Sequence, residues 1–170
     1  SCEPEITKEL SKTSKVIDMG NKGDWTGMFW RFLPANDPSI IMISRDTDSR
    51  LSHREKAAVD EWLASDKDMH IMRDHPYHRT EMLGGMWGAR NGVLQGIQEW
   101  MEDYHKGDFW QVDQNFLREI VYPKIKDKAY EHGMFGGSPF PTARKPREFV
   151  GQAFNADDTE SDTAHGDMLI

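Results

Sequence analysis

The stretch Ser39-Ile40-Ile41-Met42-Ile43-Ser44-Arg45-Asp46-Thr47-Asp48-Ser49-Arg50 limits the fold more than any other part of the chain. The apolar run Ile40 to Ile43, rich in β-branched residues, reads as a strand buried on both faces, inside a sheet covered by helices. Asp46 and Asp48 then fall just past its carboxyl end, where open α/β sheets bind ligands. In an extended segment residues two apart point to the same side, so both carboxylates can converge on one cation. A divalent-metal site is the first hypothesis.

Patterns on either side predict a single α/β domain over residues 1–154, with a mixed, mostly parallel sheet flanked by helices. Before the central strand, a short helix from Glu5 and a strand over Lys15–Met19, closed by Gly20–Gly23, are expected. Asp24 is an N-cap for a helix from Trp25 to Leu33, which Pro34 ends. Arg31 is the one charge among that helix's aromatics. Either its stem packs while its head stays in water, or the helix aims it at the acidic site.

After the carboxylates, Ser52-His53-Arg54-Glu55 has capping-box spacing and opens a helix to about Ser65. A second strand at Met69–Met72 delivers Arg73, Asp74, His75 and His78 at its end, where Pro76 prevents continuation. Gly84 to Arg90 reads as a turn where backbone approaches a ligand closely. An amphipathic helix is predicted from Asn91 to His105, stopped by Gly107, and another over Phe116–Val121, ended by Pro123. A short strand over Ala129–Glu131 precedes His132-Gly133. The remainder is loop-rich, and residues 155–170 read as an acidic, mobile tail.

A net charge of -8 argues against non-specific nucleic-acid binding, since phosphate backbones are repelled unless a local basic patch outweighs the total. A single cysteine, Cys2, rules out an internal disulfide and makes a reducing, cytoplasmic setting the default. No apolar run approaches the roughly 20 residues of a membrane span, and no secretory pattern opens the chain. It begins Ser1-Cys2-Glu3 without Met, which allows a tag remnant, processing, or a fragment of a longer gene.

Carboxylate oxygens are hard ligands that suit Mg²⁺ or Mn²⁺, with water and substrate phosphates completing the shell. His70, His75 and His78 resemble a ligand cluster, but Pro76 breaks its geometry and no cysteine supports zinc. Ordinary loop hydrogen bonds or substrate contact are favoured for His75 and His78. No G-x-S-x-G elbow or P-loop is present. Trp87 and Trp110 adjoin Gly-rich or polar turns and are candidate platforms for a sugar ring.

The ordered set of apolar strand, Asp46-Thr47-Asp48, Gly84-Gly85-Met86-Trp87-Gly88, Val112-Asp113-Gln114-Asn115-Phe116-Leu117 and late His132-Gly133 resembles nucleotide-sugar glycosyltransferases of the GT-A fold. The resemblance runs from about Trp25 to Phe154. It implies transfer of a sugar to a glycan acceptor, in surface polysaccharide or glycan synthesis, with Mn²⁺ or Mg²⁺ as cofactor. Asp46, Asp48 and His132 would hold the ion. Asp113 and Gln114, with Asp74, would act near the transferred sugar. Donor-binding roles fall to Arg31, Arg45, Arg50, Arg73, Gly84, Gly85, Trp87 and Lys145. Members carry a nucleotide-binding βαβ segment before the acidic motif, so the first strands are expected to be absent here, and a homo-oligomer would cover the sheet edge this exposes. The competing readings are a haloacid-dehalogenase-like phosphatase with Asp46 as nucleophile, and a non-catalytic module binding glycan through Trp87 and Trp110.

Overall fold

The computed structural model describes residues 4–20, 24–104, 107 and 109–169. The chain is α/β, with an open four-stranded mixed sheet flanked by helices. Its strands are β1 (Met42–Arg45), β2 (Met69–Arg73), β3 (Met86–Ala89) and β4 (Ala129–Gly133), in the order β1-β3-β2-β4. β3 pairs antiparallel with both β1 and β2, whereas β2 and β4 are parallel. The mostly parallel sheet that was expected is therefore corrected: β1, β2 and β4 run the same way, but β3 inserts in reverse between two of them. Its residues lie where the glycine-rich turn was expected, because Met86 to Ala89 is a buried run that the glycines before it, Gly84 and Gly85, and within it, Gly88, disguised.

β1 also corrects the opening expectation. It begins at Met42 and alternates, with Met42 and Ser44 buried but Ile43 exposed. It is an edge strand covered on one face, and Ile40 and Ile41 precede it in exposed backbone. The periodicity of two is that of a half-buried strand.

Met42, Met69, Ile71, Trp87 and Ala89 cover one face of the sheet and pack with Phe32, Leu94, Ile97, Phe116 and Val121. The helical elements on this face are α2 (Gly27–Trp30), α4 (Ile97–Glu102), α5 (Val112–Phe116) and α6 (Tyr122–Ile125). On the other face α3 (His53–Ala64) presents Ala58 and Trp62, and Trp62 lies over Gly88, where a Cβ would meet the indole at 2.9 Å. Ser52 caps α3 by accepting the Glu55 N–H at 3.1 Å, as the capping box predicts.

Several helix expectations change for local reasons. The segment from Asn91 narrows to α4 because Gly92 and Gly96 take left-handed φ of 76° and 96°. Its apolar residues Val93, Leu94, Trp100, Met101 and Tyr104 still reach the same core. The helix placed over Trp25–Leu33 is only α2, followed by a 3₁₀ turn over Leu33–Asn36 that contains Pro34. Pro123 does not end its helix: the π turn Leu117–Val121 widens the backbone just before it, with the Tyr122 N–H bonded to the Leu117 carbonyl, and α6 continues. Residues 15–19 form no strand. A short helix, α1, spans Pro4–Leu10. Cys2, Asn21 to Gly23 and His105 lie outside the described residues. Within the acidic end, α7 (Thr163–Asp167) is capped by Asp162, and Arg147 pairs with Glu160 and Asp167. No helix among the described residues is long and apolar enough to cross a membrane.

Candidate functional site

At the carboxyl end of β1 a cavity of about 500 Å³ is lined by Arg31, Asp46, Asp48, Gly84, Gly85 and Gln114, joined by His78 and Trp110. Several separate chain segments meet here. β1 supplies Asp46 and then turns, with the Ser49 N–H and Oγ both donating to the Asp46 carbonyl, at 3.3 and 2.8 Å. Asp46 and Asp48 thus flank a turn rather than an extended segment, yet both line the cavity.

Arg31 settles on the second of its two readings. Its guanidinium donates to Asp46 Oδ1 and to Asp113 Oδ2, bridging β1's end to the first turn of α5. Asp113 is fully buried, and its Oδ1 has no hydrogen-bond partner among the described residues. A buried carboxylate paired on one oxygen only keeps an acceptor for a positively charged group. Gln111, just before α5, holds a left-handed φ of 70°, an unusual conformation for a non-glycine residue, and separates exposed Trp110 from buried Asp113.

Gly84 and Gly85 have a different task from close approach to a ligand. A Cβ on Gly84 would collide with the Arg31 guanidinium, and one on Gly85 with the Asp46 carboxylate. Bare backbone is what lets these charged side chains lie flat on the loop. The loop is tied to β1 where Ser44 Oγ donates to the Gly84 carbonyl at 2.8 Å.

His78 lines the cavity and makes a loop hydrogen bond of the kind the sequence favours for it. Its Nδ1 accepts the Asp74 N–H at 3.1 Å, which leaves Nε2 as the protonated nitrogen of a neutral ring. Burial, first, and the neighbouring His75 push its pKa down to about 4. The signal was there in His75-Pro76-Tyr77-His78, but only the fold shows that His78 is the histidine lining the acidic cavity.

Other predicted residues go elsewhere. His132 lies on β4, with β3 and β2 between it and β1. Its Nδ1 lies 2.8 Å from His70 Nε2 and its Nε2 3.2 Å from Glu61 Oε2, so it joins a buried relay and not the acidic site. Asp74 is fully buried and accepts from Arg54, Arg144 and the Val150 N–H. Arg45 pairs with Glu55, Arg73 with Glu131, and Arg50 with Asp158 at 2.7 Å. Trp87 is entirely within the core. Lys145 lies 3.7 Å from Glu148.

Among the described residues, no three His, Cys, Asp or Glu side chains are grouped as ligands of one metal. A larger cavity of about 680 Å³ beside α2 and α4 is mainly apolar, lined by Phe29, Trp30, Leu33 and Met101, and lacks convergent charges. No protein-family model matches the chain, and comparisons with curated proteins and with solved structures return no match.

Proposed function

We propose that the acidic cavity is the donor site of a divalent-metal-dependent glycosyltransferase that takes its sugar from a nucleotide-sugar. One observation carries the reading: Arg31, Asp46, Asp48, Gly84, Gly85 and Gln114, scattered over more than eighty positions of sequence, line a single cavity, with Asp113 buried against Arg31. A volume of about 500 Å³ is within the range of small-ligand sites.

The donor set fits a hard cation. Mg²⁺ or Mn²⁺ takes one or two carboxylates and completes its shell with water and substrate phosphate oxygens, and Asp46 and Asp48 are two carboxylates facing one space. When bound, the ion would neutralise charge on the leaving diphosphate. His132 has no part in that shell.

The chain's own groups supply the rest. Arg31 fixes the position of Asp113 and offsets part of the cost of burying its charge. As positive charge develops at the anomeric carbon, the Gln114 amide oxygen in the cavity lining and, from its buried position against Arg31, the Asp113 carboxylate are the acceptors able to stabilise it. His78 offers a neutral N–H donor to a phosphate or sugar oxygen, and Trp110 an exposed indole face for a ring. Trp87 has no exposed face with which to serve a sugar-binding module.

Nucleoside diphosphate release from a panel of nucleotide-sugars with Mn²⁺ tests the reading. One donor should be consumed, and Asp113→Asn should lower the rate about 100-fold or more. Release that is the same in wild type and Asp113→Asn would remove the site from the reaction.

A further inference from the structure

Behind the acidic cavity lies a second one, of about 540 Å³, whose charges have the opposite sign. The wall between the two includes the antiparallel bridge from Ser49 to Ala153. Asp48 and Gly151 line the first cavity, while Arg50, just after Ser49, and Gln152, just before Ala153, line the second.

The second cavity opens on the first turn of α3, a helix of 12 residues. Ser52 takes the Glu55 N–H, but the N–H groups of His53 and Arg54 have no partner among the described residues. A helix start with free N–H groups favours an anion. Lys56 and Lys145 stand at its rim, their side chains 71% and 74% exposed, and Lys145 is only loosely held by Glu148. Of the described carboxylates only Glu148 lines the cavity; Lys56 also pairs with Asp60 at 2.5 Å and Arg50 with Asp158 at 2.7 Å, exposed pairs of the kind that solvent weakens and a phosphate can displace.

Gln152 is the second, independent sign of a ligand. The residue is only 7% exposed and lines the cavity, and its side-chain amide has no hydrogen-bond partner among the described residues. Most of the residue is covered while its amide still reaches the solvent of the cavity, so a ligand oxygen there can take up its unused donors. Phe149 and Phe154 complete the lining with apolar surface.

We propose that this cavity binds a small phosphomonoester, its phosphate at the start of α3 between Lys56, Lys145 and the Gln152 amide, its organic part against Phe149 and Phe154. The site is independent of the transferase reading. Phosphate oxygens would accept from the two ammonium groups, the first-turn N–H groups and the Gln152 NH₂, matching donors to acceptors throughout.

Titration calorimetry at constant ionic strength with phenyl phosphate and with inorganic phosphate tests it. Both should bind saturably, phenyl phosphate about 10-fold tighter because it also covers apolar surface. The double variant Lys56→Gln, Lys145→Gln, both at exposed positions, should lose at least 10-fold for both probes. Gln152→Leu should lose a similar factor, while Asp48→Asn should leave both affinities unchanged. Co-sedimentation with phosphatidate vesicles, lost in the double variant, would give a lipid headgroup as the source. Retained phenyl phosphate binding without co-sedimentation gives a soluble ester. No saturable binding, or equal affinities in wild type and the double variant, would overturn the proposal.

Discussion

Two strands of this sheet end in the same dipeptide, and the protein uses the two ends in opposite ways. β1 ends in Arg45-Asp46 and β2 in Arg73-Asp74. In both, the arginine turns to a glutamate, Glu55 or Glu131, and leaves its neighbouring aspartate to other partners. Asp74 is then sealed under the segment that carries Arg144 and Val150, with Arg54, Arg144 and a backbone N–H satisfying its oxygens. Asp46 keeps a side chain 51% exposed and, among the described residues, a single side-chain partner, Arg31. One carboxylate is an internal tie; the other stands on an open cavity. What separates them is the chain packed above each strand end, a property of the fold and not of the motif.

Replacing the two aspartates separates these roles most strongly. Asp74→Ala leaves Arg54 and Arg144 partly buried without their counter-charge, and loss of one partner of a buried pair costs roughly 3–5 kcal/mol. In urea unfolding its midpoint should fall far below wild type, whereas Asp46→Ala should stay within about 1 kcal/mol, the range of exposed pairs. Similar losses in the two variants would erase the distinction.

A smaller effect sharpens the account of the open end. Gly84→Ala places a methyl group where the Arg31 guanidinium lies. Displacing it should cost about 1–3 kcal/mol, as overpacking does, and weaken Mn²⁺–nucleotide binding with it. An alanine variant with unchanged stability and binding would show that Arg31 is not needed where it lies.

Acid should act chiefly through the β2 side. Burial holds His70 near a pKa of about 3 and His78 near about 4, and also lowers that of His132. These rings are neutral in the folded protein and bind protons more readily when unfolded. Their contribution is therefore complete above about pH 6.5 and is lost as pH falls toward 4, by up to roughly 1.4 kcal/mol per pH unit for each group. Melting temperature should fall steadily from pH 7 to 5, less steeply in His70→Gln. A flat profile would contradict the burial of these rings.

Much of this was legible from residues alone. The capping box at Ser52, the strand at Met69 and the apolar positions around Ile97 follow from local pattern, because spacing along the chain fixes a face, whereas the grouping of Asp46, Asp48, Gly84, Gly85 and Gln114 was an expectation of the family resemblance and not of local spacing. β3 was not legible: four residues between glycine-rich turns give too short a run to distinguish a buried strand from a loop. Nor was the fate of His132, Asp74 and Lys145, since partners such as His70, Arg54 and Glu148 are set by which elements pack together. The π turn before Pro123 shows the same limit, where a strong local stop signal gives way to a rearranged backbone.

The central claim is that Asp46 and Asp48 form a cation-dependent nucleotide site. Thermal unfolding with Mn²⁺ and a nucleoside diphosphate tests it directly, because selective binding to the folded state must raise the melting temperature. At a hundred times the dissociation constant the rise should be roughly 5–10 °C. It should disappear when Mn²⁺ is omitted and in Asp48→Ala, which should otherwise melt like wild type. No rise with any common nucleoside diphosphate, or an equal rise in Asp48→Ala, would contradict the account.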